Sequence, residues 1–362
     1  MPADLVSVVI PTFNRASLIG RAIASVLEQT HGATEIIVVD DGSTDNTADL
    51  IRDRYAAESR VRYLAQGNQG VSAARNHGFA VSHGDFIALL DSDDIWKPWK
   101  LELQIRCLRA VPEAAMIWTD MEALDADGSV LSRRYLRTMY RNSYRWFPDK
   151  SSLFSDSLPL VDICNIPGIA EAEDRLYWGD IFSQMIMGNL VHTSTVLLRR
   201  NRLEQVRGFN EELKGSGEDY DFHLRTCRAG PVAFADVSSI YYQVGRSDQL
   251  TQRPFRIYMA RNFLNTITPV LETDGDRIRL PARMLRAVQA FANGWVGSEN
   301  LELGETVQAR TYMRRSLEFR FWQPKMWVLY SLTLLPPAVA RIVLTCLRRV
   351  KHALLALSPF RG

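Results

Sequence analysis

Short apolar runs and amphipathic stretches alternate through the first 120 residues. Val6–Ile10, Glu35–Val39 and Asp85–Leu90 are dominated by β-branched and other apolar residues, the pattern of strands buried on both faces. Val61–Leu64 is a weaker run of the same kind. Arg15–Gln29 places Leu18, Ile19, Ala22, Ile23, Val26 and Leu27 at helical spacing. Asp45 is placed to cap a helix running to about Tyr55, and Gly70–Val81 reads as a third helix. Buried strands alternating with amphipathic helices predict βαβ units and a Rossmann-like, mostly parallel central sheet flanked by helices. In such sheets ligands bind beyond the carboxyl ends of the strands.

The pattern changes near Ala115. Met116–Ala123 and Val191–Leu198 read as strands, and Tyr220–Ala229 as a helix after an acidic turn. The chain beyond Gln252 is mostly helical in character. Ser129–Asp156 interleaves Arg and Tyr with no period and yields no assignment.

Polar turns follow three of the predicted strands. Val6–Ile10 leads into Pro11-Thr12-Phe13-Asn14-Arg15, Glu35–Val39 into Asp40-Asp41-Gly42-Ser43, and Asp85–Leu90 into Asp91-Ser92-Asp93-Asp94. Three strand ends that deliver polar turns to one edge weigh more than any single motif. Composition is that of a globular protein, at 46% hydrophobic and 23% charged, and argues against disorder. A net charge of +2 gives no general attraction to polyanions, so no nucleic-acid partner is expected. Cys107, Cys164, Cys227 and Cys346 lie far apart, which excludes zinc ribbons and redox dithiols.

Asp91 and Asp93 are two hard-oxygen ligands at a strand end. They suit Mg²⁺ or Mn²⁺, which uses one or two carboxylates together with substrate phosphates. The plainer alternative is that Asp93 or Asp94 caps a helix before Ile95-Trp96. Asp41 can accept hydrogen bonds from a base or ribose, or can simply close a turn. Arg75 follows a Gly/Ser helix start and can reach a base or phosphate, or can pair with a nearby acid at the surface. Gly215–Asp221 is a glycine turn ending in acids. It can present a carboxylate as general base, or cap the next helix. His83, His192 and His223 lack metal-ligand spacing. Neither G-x-S-x-G, Walker A nor G-x-G-x-x-G is present, against serine hydrolase, P-loop and dehydrogenase chemistry.

Taken in order, five segments resemble the family 2 glycosyltransferases, inverting enzymes of GT-A fold. They are Val8–Arg15, Val38–Ser43, Gly70–Asn76, Leu90–Asp94, and Gly208-Phe209-Asn210 ahead of Glu218-Asp219. The resemblance covers roughly Leu5–Arg225. It implies an α/β fold of GT-A type and a nucleotide-sugar donor, most simply UDP-linked. By the same likeness, Pro11, Thr12, Phe13 and Arg15 line the donor pocket, Asp41 meets the base, Arg75 helps hold it, and Asp91 and Ser92 sit near the ribose. Asp93, with Asp91, would hold Mg²⁺ or Mn²⁺ on the diphosphate, and Asp219 would be the catalytic base. Many family members carry a metal-binding histidine about 25 residues after the acidic pair. Here Tyr242–Ser247 has none, and Arg246 is the expected diphosphate contact in its place. The processive QxxRW motif is missing, so one sugar per encounter is expected. The acceptor would be a saccharide or lipid-linked saccharide in cell-surface polysaccharide or glycolipid synthesis. The implied organisation is a donor-binding half over 1–115, an acceptor and catalytic-base half over 116–250, and a helical extension over 251–362. The alternatives are a catalytically degenerate nucleotide- or membrane-binding module and a haloacid dehalogenase-like phosphotransferase.

Met1–Ile10 lacks a basic leader and a long apolar core, so it reads as mature sequence, and the expected location is cytoplasmic. From Glu305 to Gly362 there are ten Lys/Arg and two acids. Within that segment Met326–Leu347 is strongly apolar but broken by Pro336, Pro337 and Arg341. Two expectations follow for it: a tail lying on the inner, anionic face of a membrane, or a helical hairpin packed on the main domain.

Overall fold

The apolar runs of the first ninety residues form β1 (Val6–Thr12), β2 (Thr34–Asp40), β3 (Val61–Ala65) and β4 (Phe86–Leu89) in the computed structural model. Between them lie α1 (Ile19–Leu27), α2 (Thr47–Tyr55) and α3 (Val71–Ala80). The structure describes residues 4–164, 166, 171, 173–246 and 255–356. Val8, Val9, Ile10 and Ile36–Val39 are fully buried because helices cover both faces of these strands. α1 turns Ile19, Ala22, Ile23 and Val26 inward. α3 seats Ala74 against Ile37 and Val39. It approaches β1 so closely that a Cβ on Gly78 would fall 2.4 Å from Val9 Cγ1.

Next come β5 (Ile95–Trp96), α4 (Lys100–Ala110), β6 (Met116–Leu124), β7 (Val130–Ser132), α5 (Leu136–Met139) and α6 (Arg141–Tyr144). β8 (Asp156–Pro159), β9 (Arg175–Gly179), α7 (Phe182–Met185), β10 (Leu197–Arg199), α8 (Arg200–Val206), α9 (Glu218–Arg228) and β11 (Val232–Gln243) follow. One sheet runs β3-β2-β1-β4-β10-β6-β11-β9-β8, with β5 beside β11 and β7 beside β6.

The expected parallel arrangement holds over β3-β2-β1-β4. Beyond that the sheet is mixed. β10 is antiparallel to β4 and β6, β11 is parallel to β6, and β9 is antiparallel to β11. The predicted strand over Val191–Leu198 is corrected: only Leu197–Arg199 pairs, and Thr193–Thr195 is a buried 3-10 turn. A short apolar run marks burial, and burial alone does not separate strand from loop. Ile95-Trp96 pairs with β11, so Asp93 and Asp94 cap no helix there. Asp45 receives the Thr47 amide at 3.0 Å in the first turn of α2.

The chain divides into two compact units, Met1–Leu250 and Thr251–Gly362. The second contains α10 (Arg256–Thr273), α11 (Ala282–Leu303), α12 (Thr306–Phe319), α13 (Pro324–Leu332) and α14 (Pro337–Ala356). α11 and α12 meet at small residues: Ser316 Oγ donates to the Ala290 carbonyl at 2.7 Å, and a Cβ on Gly297 would lie 2.7 Å from Met313 Cγ. Leu301, Ala309, Met313, Leu332, Ala340 and Leu344 form one cluster. Among the described residues, no helix is long and apolar enough to cross a membrane.

Candidate active site

The loops after β1 and β2 are tied together. Asn14, held at φ 52°, accepts the Thr44 amide at 2.8 Å through its side chain, and its own amide donates to Ser43 Oγ at 2.8 Å. Pro11 and Thr12 are buried behind this tie, and Phe13 is exposed at its mouth. Asp41 accepts from Gln66 Nε2 at 2.8 Å, the Gln69 amide at 2.9 Å and the Gly70 amide at 2.8 Å. Those three bonds fold the segment leading into α3. A carboxylate has about four acceptor positions, and these bonds take three of them.

Arg75 on α3 is buried. Its Nη2 donates to Asp91 at 2.8 Å, its Nη1 to Glu218 at 2.8 Å, and its guanidinium lies 4.7 Å over the Phe209 ring. Its two Nη groups thus join carboxylates from the turn after β4 and from α9. α3 is locked to the same place by Asn76, whose amide donates to the Phe209 carbonyl at 2.9 Å while its oxygen takes the Phe209 N–H at 2.8 Å. Gly208, at φ +72°, leaves room for Asn76, since a Cβ there would sit 2.4 Å from Asn76 Oδ1. Phe209 stacks on Phe222 of α9 at 4.2 Å, which fixes α9 relative to α3.

The turn after β4 is anchored from below. Ser194 Oγ contacts the Asp91 amide at 3.1 Å and donates to the buried Asp94 carboxylate. Burial, with Asp93 and Asp91 alongside, pushes Asp94 well above the usual carboxylate range. Ser92 is buried. Asp93 is partly exposed. Burial and the Asp91 charge raise it, while Arg15 and Arg246 act on it in the opposite sense. Both arginines therefore lie within electrostatic reach of Asp93. A pocket of about 220 Å³ opens beside it, walled by Arg21, Tyr241, Gln243 and the turn at Asp125–Gly128.

Asp219, in the first turn of α9, accepts the Asn189 side-chain amide at 3.0 Å and the Tyr220 N–H at 2.8 Å. Burial first, then the adjacent Glu218 charge, raise its carboxyl to about 7, against a lowering effect of Arg75. Asp91 also acts on Asp219, so the β4 turn and the α9 turn face one another.

Residues that sequence reading did not single out complete the site. Asn189 orients Asp219, and its own oxygen is fixed by the Val191 N–H at 3.1 Å. Tyr140 lies near Asp219, Tyr242 and Asp91, and burial raises its phenol well above the ordinary range. Desolvation lowers the His192 imidazole to about 4, and its ring meets Tyr242 edge-on at 5.2 Å. Among the described residues, Thr12 Oγ1, Ser72 Oγ, Arg75 Nε and His192 Nδ1 are buried with no hydrogen-bond partner, a state in which buried polar atoms are rarely left.

Among the described residues, no three His, Cys, Asp or Glu side chains gather as a metal cage. The donor set is Asp93 with the free oxygen of Asp91. That fits a hard divalent cation that takes its other ligands from phosphate and water.

Residues 7–161 match the family model Glycosyl transferase family 2. Over those residues the chain carries a family 2 glycosyltransferase segment. It is 48% identical over 98 residues to an uncharacterized glycosyltransferase of Nostoc sp., 27% of this chain and 30% of the relative. It is 29% identical over 239 residues to the chondroitin synthase of Escherichia coli, 66% of this chain and 28% of the relative. It is 37% identical over 131 residues to a putative teichuronic acid biosynthesis glycosyltransferase of Bacillus subtilis, 36% of this chain and 51% of the relative. The chain thus spans about half or less of the length of these relatives. Two solved structures share its GT-A fold. The mannosyltransferase PcManGT from Pyrobaculum calidifontis, in complex with GDP-Man and Mn²⁺, aligns at TM-score 0.53 and 15% identity over 94% of this chain and 90% of that one. S. aureus TarS 1–349, in complex with UDP-GlcNAc, aligns at TM-score 0.51 and 14% identity over 91% and 90%.

Proposed function

We propose that this chain transfers a single sugar from a UDP-linked donor to a hydroxyl of a saccharide or lipid-linked saccharide, with inversion at the anomeric carbon. The observation that carries the reading is the Arg75 bridge. It ties Asp91, on the donor side, to Glu218, beside a carboxylate raised to about 7.

Residues 1–115 supply the donor side. Thr12 and Phe13 flank the nucleoside, and the remaining acceptor position of Asp41 receives the uracil N3–H. Arg15 and Arg246 face the diphosphate as charge-assisted donors. Asp93 and Asp91 would hold Mg²⁺ or Mn²⁺, which neutralises charge on the leaving diphosphate. Residues 116–250 supply the base. Asp219 takes the proton of the acceptor hydroxyl. The oxygen forms its bond to the anomeric carbon as the bond from that carbon to the diphosphate oxygen breaks, and the nucleoside diphosphate leaves with the electron pair. A base poised near 7 is matched to neutral operation. One displacement needs no protein nucleophile.

The test is a thermal-shift screen of UDP, GDP and their sugar conjugates, with and without Mn²⁺, followed by donor turnover. Uridine ligands should raise the melting temperature by mass action, more so with Mn²⁺. Asp93→Asn should remove the Mn²⁺-dependent part. Asp219→Asn should still bind donor yet lose turnover by at least about a hundredfold, within the usual worth of a general base. An Asp219→Asn protein as active as the parent would sink the reading.

A further inference from the structure

We propose that the second unit docks on an anionic lipid surface through the apolar ends of α13, an interaction that goes beyond the transfer reaction and does not depend on it. Leu334, Leu335, Pro336, Pro337, Ala338 and Val339 are six consecutive apolar residues, all exposed. Leu334 is 61% exposed, and Ile342, in the following α14, 64%. At the other end of α13, Phe321 and Trp322 are exposed as well, Trp322 at 76%. That turn is held in place: Trp327 Nε1 donates to the Phe321 carbonyl at 3.0 Å, and the Phe321 and Trp327 rings meet at 5.2 Å. Val328 is exposed between the two ends. Soluble surfaces carry single apolar residues, but runs of this length mark contact with a partner.

Charge chooses the partner. Arg314, Arg315, Arg320, Lys325 and Arg341 are exposed around these residues. Residues 305–346 hold six Lys/Arg against Glu305 and Glu318, and Glu318 is already paired with Arg314 at 3.1 Å. The α14 backbone continues to Ala356 through a sequence that adds Arg348, Arg349 and Lys351. Apolar and aromatic side chains interspersed with an excess of cations suit a bilayer with acidic headgroups. A second copy of the same face would bring like charges together, because a two-fold contact is self-complementary. No described helix is long and apolar enough to span, so the association is with the surface.

The test is co-sedimentation of the full chain with vesicles of phosphatidylcholine alone or with 30% phosphatidylglycerol, at low and high salt. Binding should require the anionic lipid and weaken by about tenfold or more in partition coefficient at high salt, as screening predicts. The exposed pair changed as Phe321→Ser with Trp322→Ser, and separately Leu334→Ser with Ile342→Ser, should each cost roughly tenfold in partitioning. Their melting temperatures and donor turnover should match the parent, so loss of the membrane role and loss of the transferase reading are told apart. Equal partitioning to neutral vesicles, or variants that bind like the parent, would overturn the proposal. So would a dimer in light scattering that Leu334→Ser dissociates while the chain ignores vesicles.

Discussion

Replacing Arg75 with Leu is the most searching perturbation of this fold, because one side chain serves both halves of the site. The substitution removes two ion pairs of 2.8 Å and a stack on Phe209. The two carboxylates do not suffer equally. The Glu218 side chain is 7% exposed and stays buried with no counter-charge, whereas the Asp91 side chain is 30% exposed and water can screen it. Breaking one side of a buried pair costs about 3–5 kcal/mol, and nearly all of it should come from Glu218. For a unit of this size that is a fall of roughly 10 °C in melting temperature. Arg75 also lowers Asp219, so its loss should move the acid limb of kcat/KM to higher pH. Adding Glu218→Gln should restore most of the melting temperature, since the orphaned charge is gone. Arg75→Lys should restore little, because an ammonium cannot offer a flat fork to two carboxylates and an aromatic face at once. The assay is thermal unfolding of the four proteins at pH 7.5, with kcat/KM measured from pH 5.5 to 9. An Arg75→Leu protein that melts within 2 °C of the parent with an unmoved acid limb would refute the bridge as the link between the halves.

Asp219→Asn should be inactive yet gain stability relative to the parent as pH rises from about 4 to about 7. A carboxyl whose folded value lies above its unfolded one binds more protons when folded, so the parent loses stability across that window; paired melting curves at pH 4, 6 and 8 check it. Asn189→Leu removes a hydrogen bond of 3.0 Å to the ionised base. Such a bond is worth about 1.5–3 kcal/mol, so the acid limb should rise by about 1–2 pH units while the high-pH rate recovers, and an unmoved limb would exclude the positioning role. Gly78→Ala should destabilise the protein by about 1 kcal/mol in urea unfolding, because the contact 2.4 Å from Val9 Cγ1 outweighs the roughly 1 kcal/mol gain in helix propensity.

The parallel part of the sheet, β1 to β4, is legible in the sequence because its strands are covered on both faces. Continuous burial writes a continuous apolar run at Val6–Ile10 and Ile36–Val39, and each run stops where the polar turn begins. The other half hides for physical reasons. β11, twelve residues long, has no counterpart among the predicted elements. Its register shifts twice against β6, between Ala235 and Ser238 and between Ser238 and Tyr241, so no single alternation runs along it. α5 and α6 are four residues each, too short to show a period. Arg75 could be picked out locally, but its partner Glu218 lies 143 residues away. Asn189, His192 and Ser194 sit in or beside a run that resembles a strand, and Tyr140 in a stretch with no pattern, so their place beside Asp219 and Asp91 depends on tertiary folding alone.

The acidic pair at the start of α9 offers two carboxylates for one role, and the geometry separates them. Glu218 is buried against the Arg75 guanidinium at 2.8 Å. Its carboxylate is thereby engaged by Arg75. Its charge still acts on its neighbour, where with burial it raises Asp219 to about 7. Among the described residues, Asp219 accepts from neutral donors, Asn189 and the Tyr220 amide. The result is a balance: Glu218 and burial weaken the acid, while Arg75, Asn189 and the amide keep it from staying protonated at neutral pH. Of the two, Glu218 is held by an ion pair and Asp219 is the carboxyl raised to about 7. Arg75 is what holds the first, and it does so with the same guanidinium that pairs with Asp91.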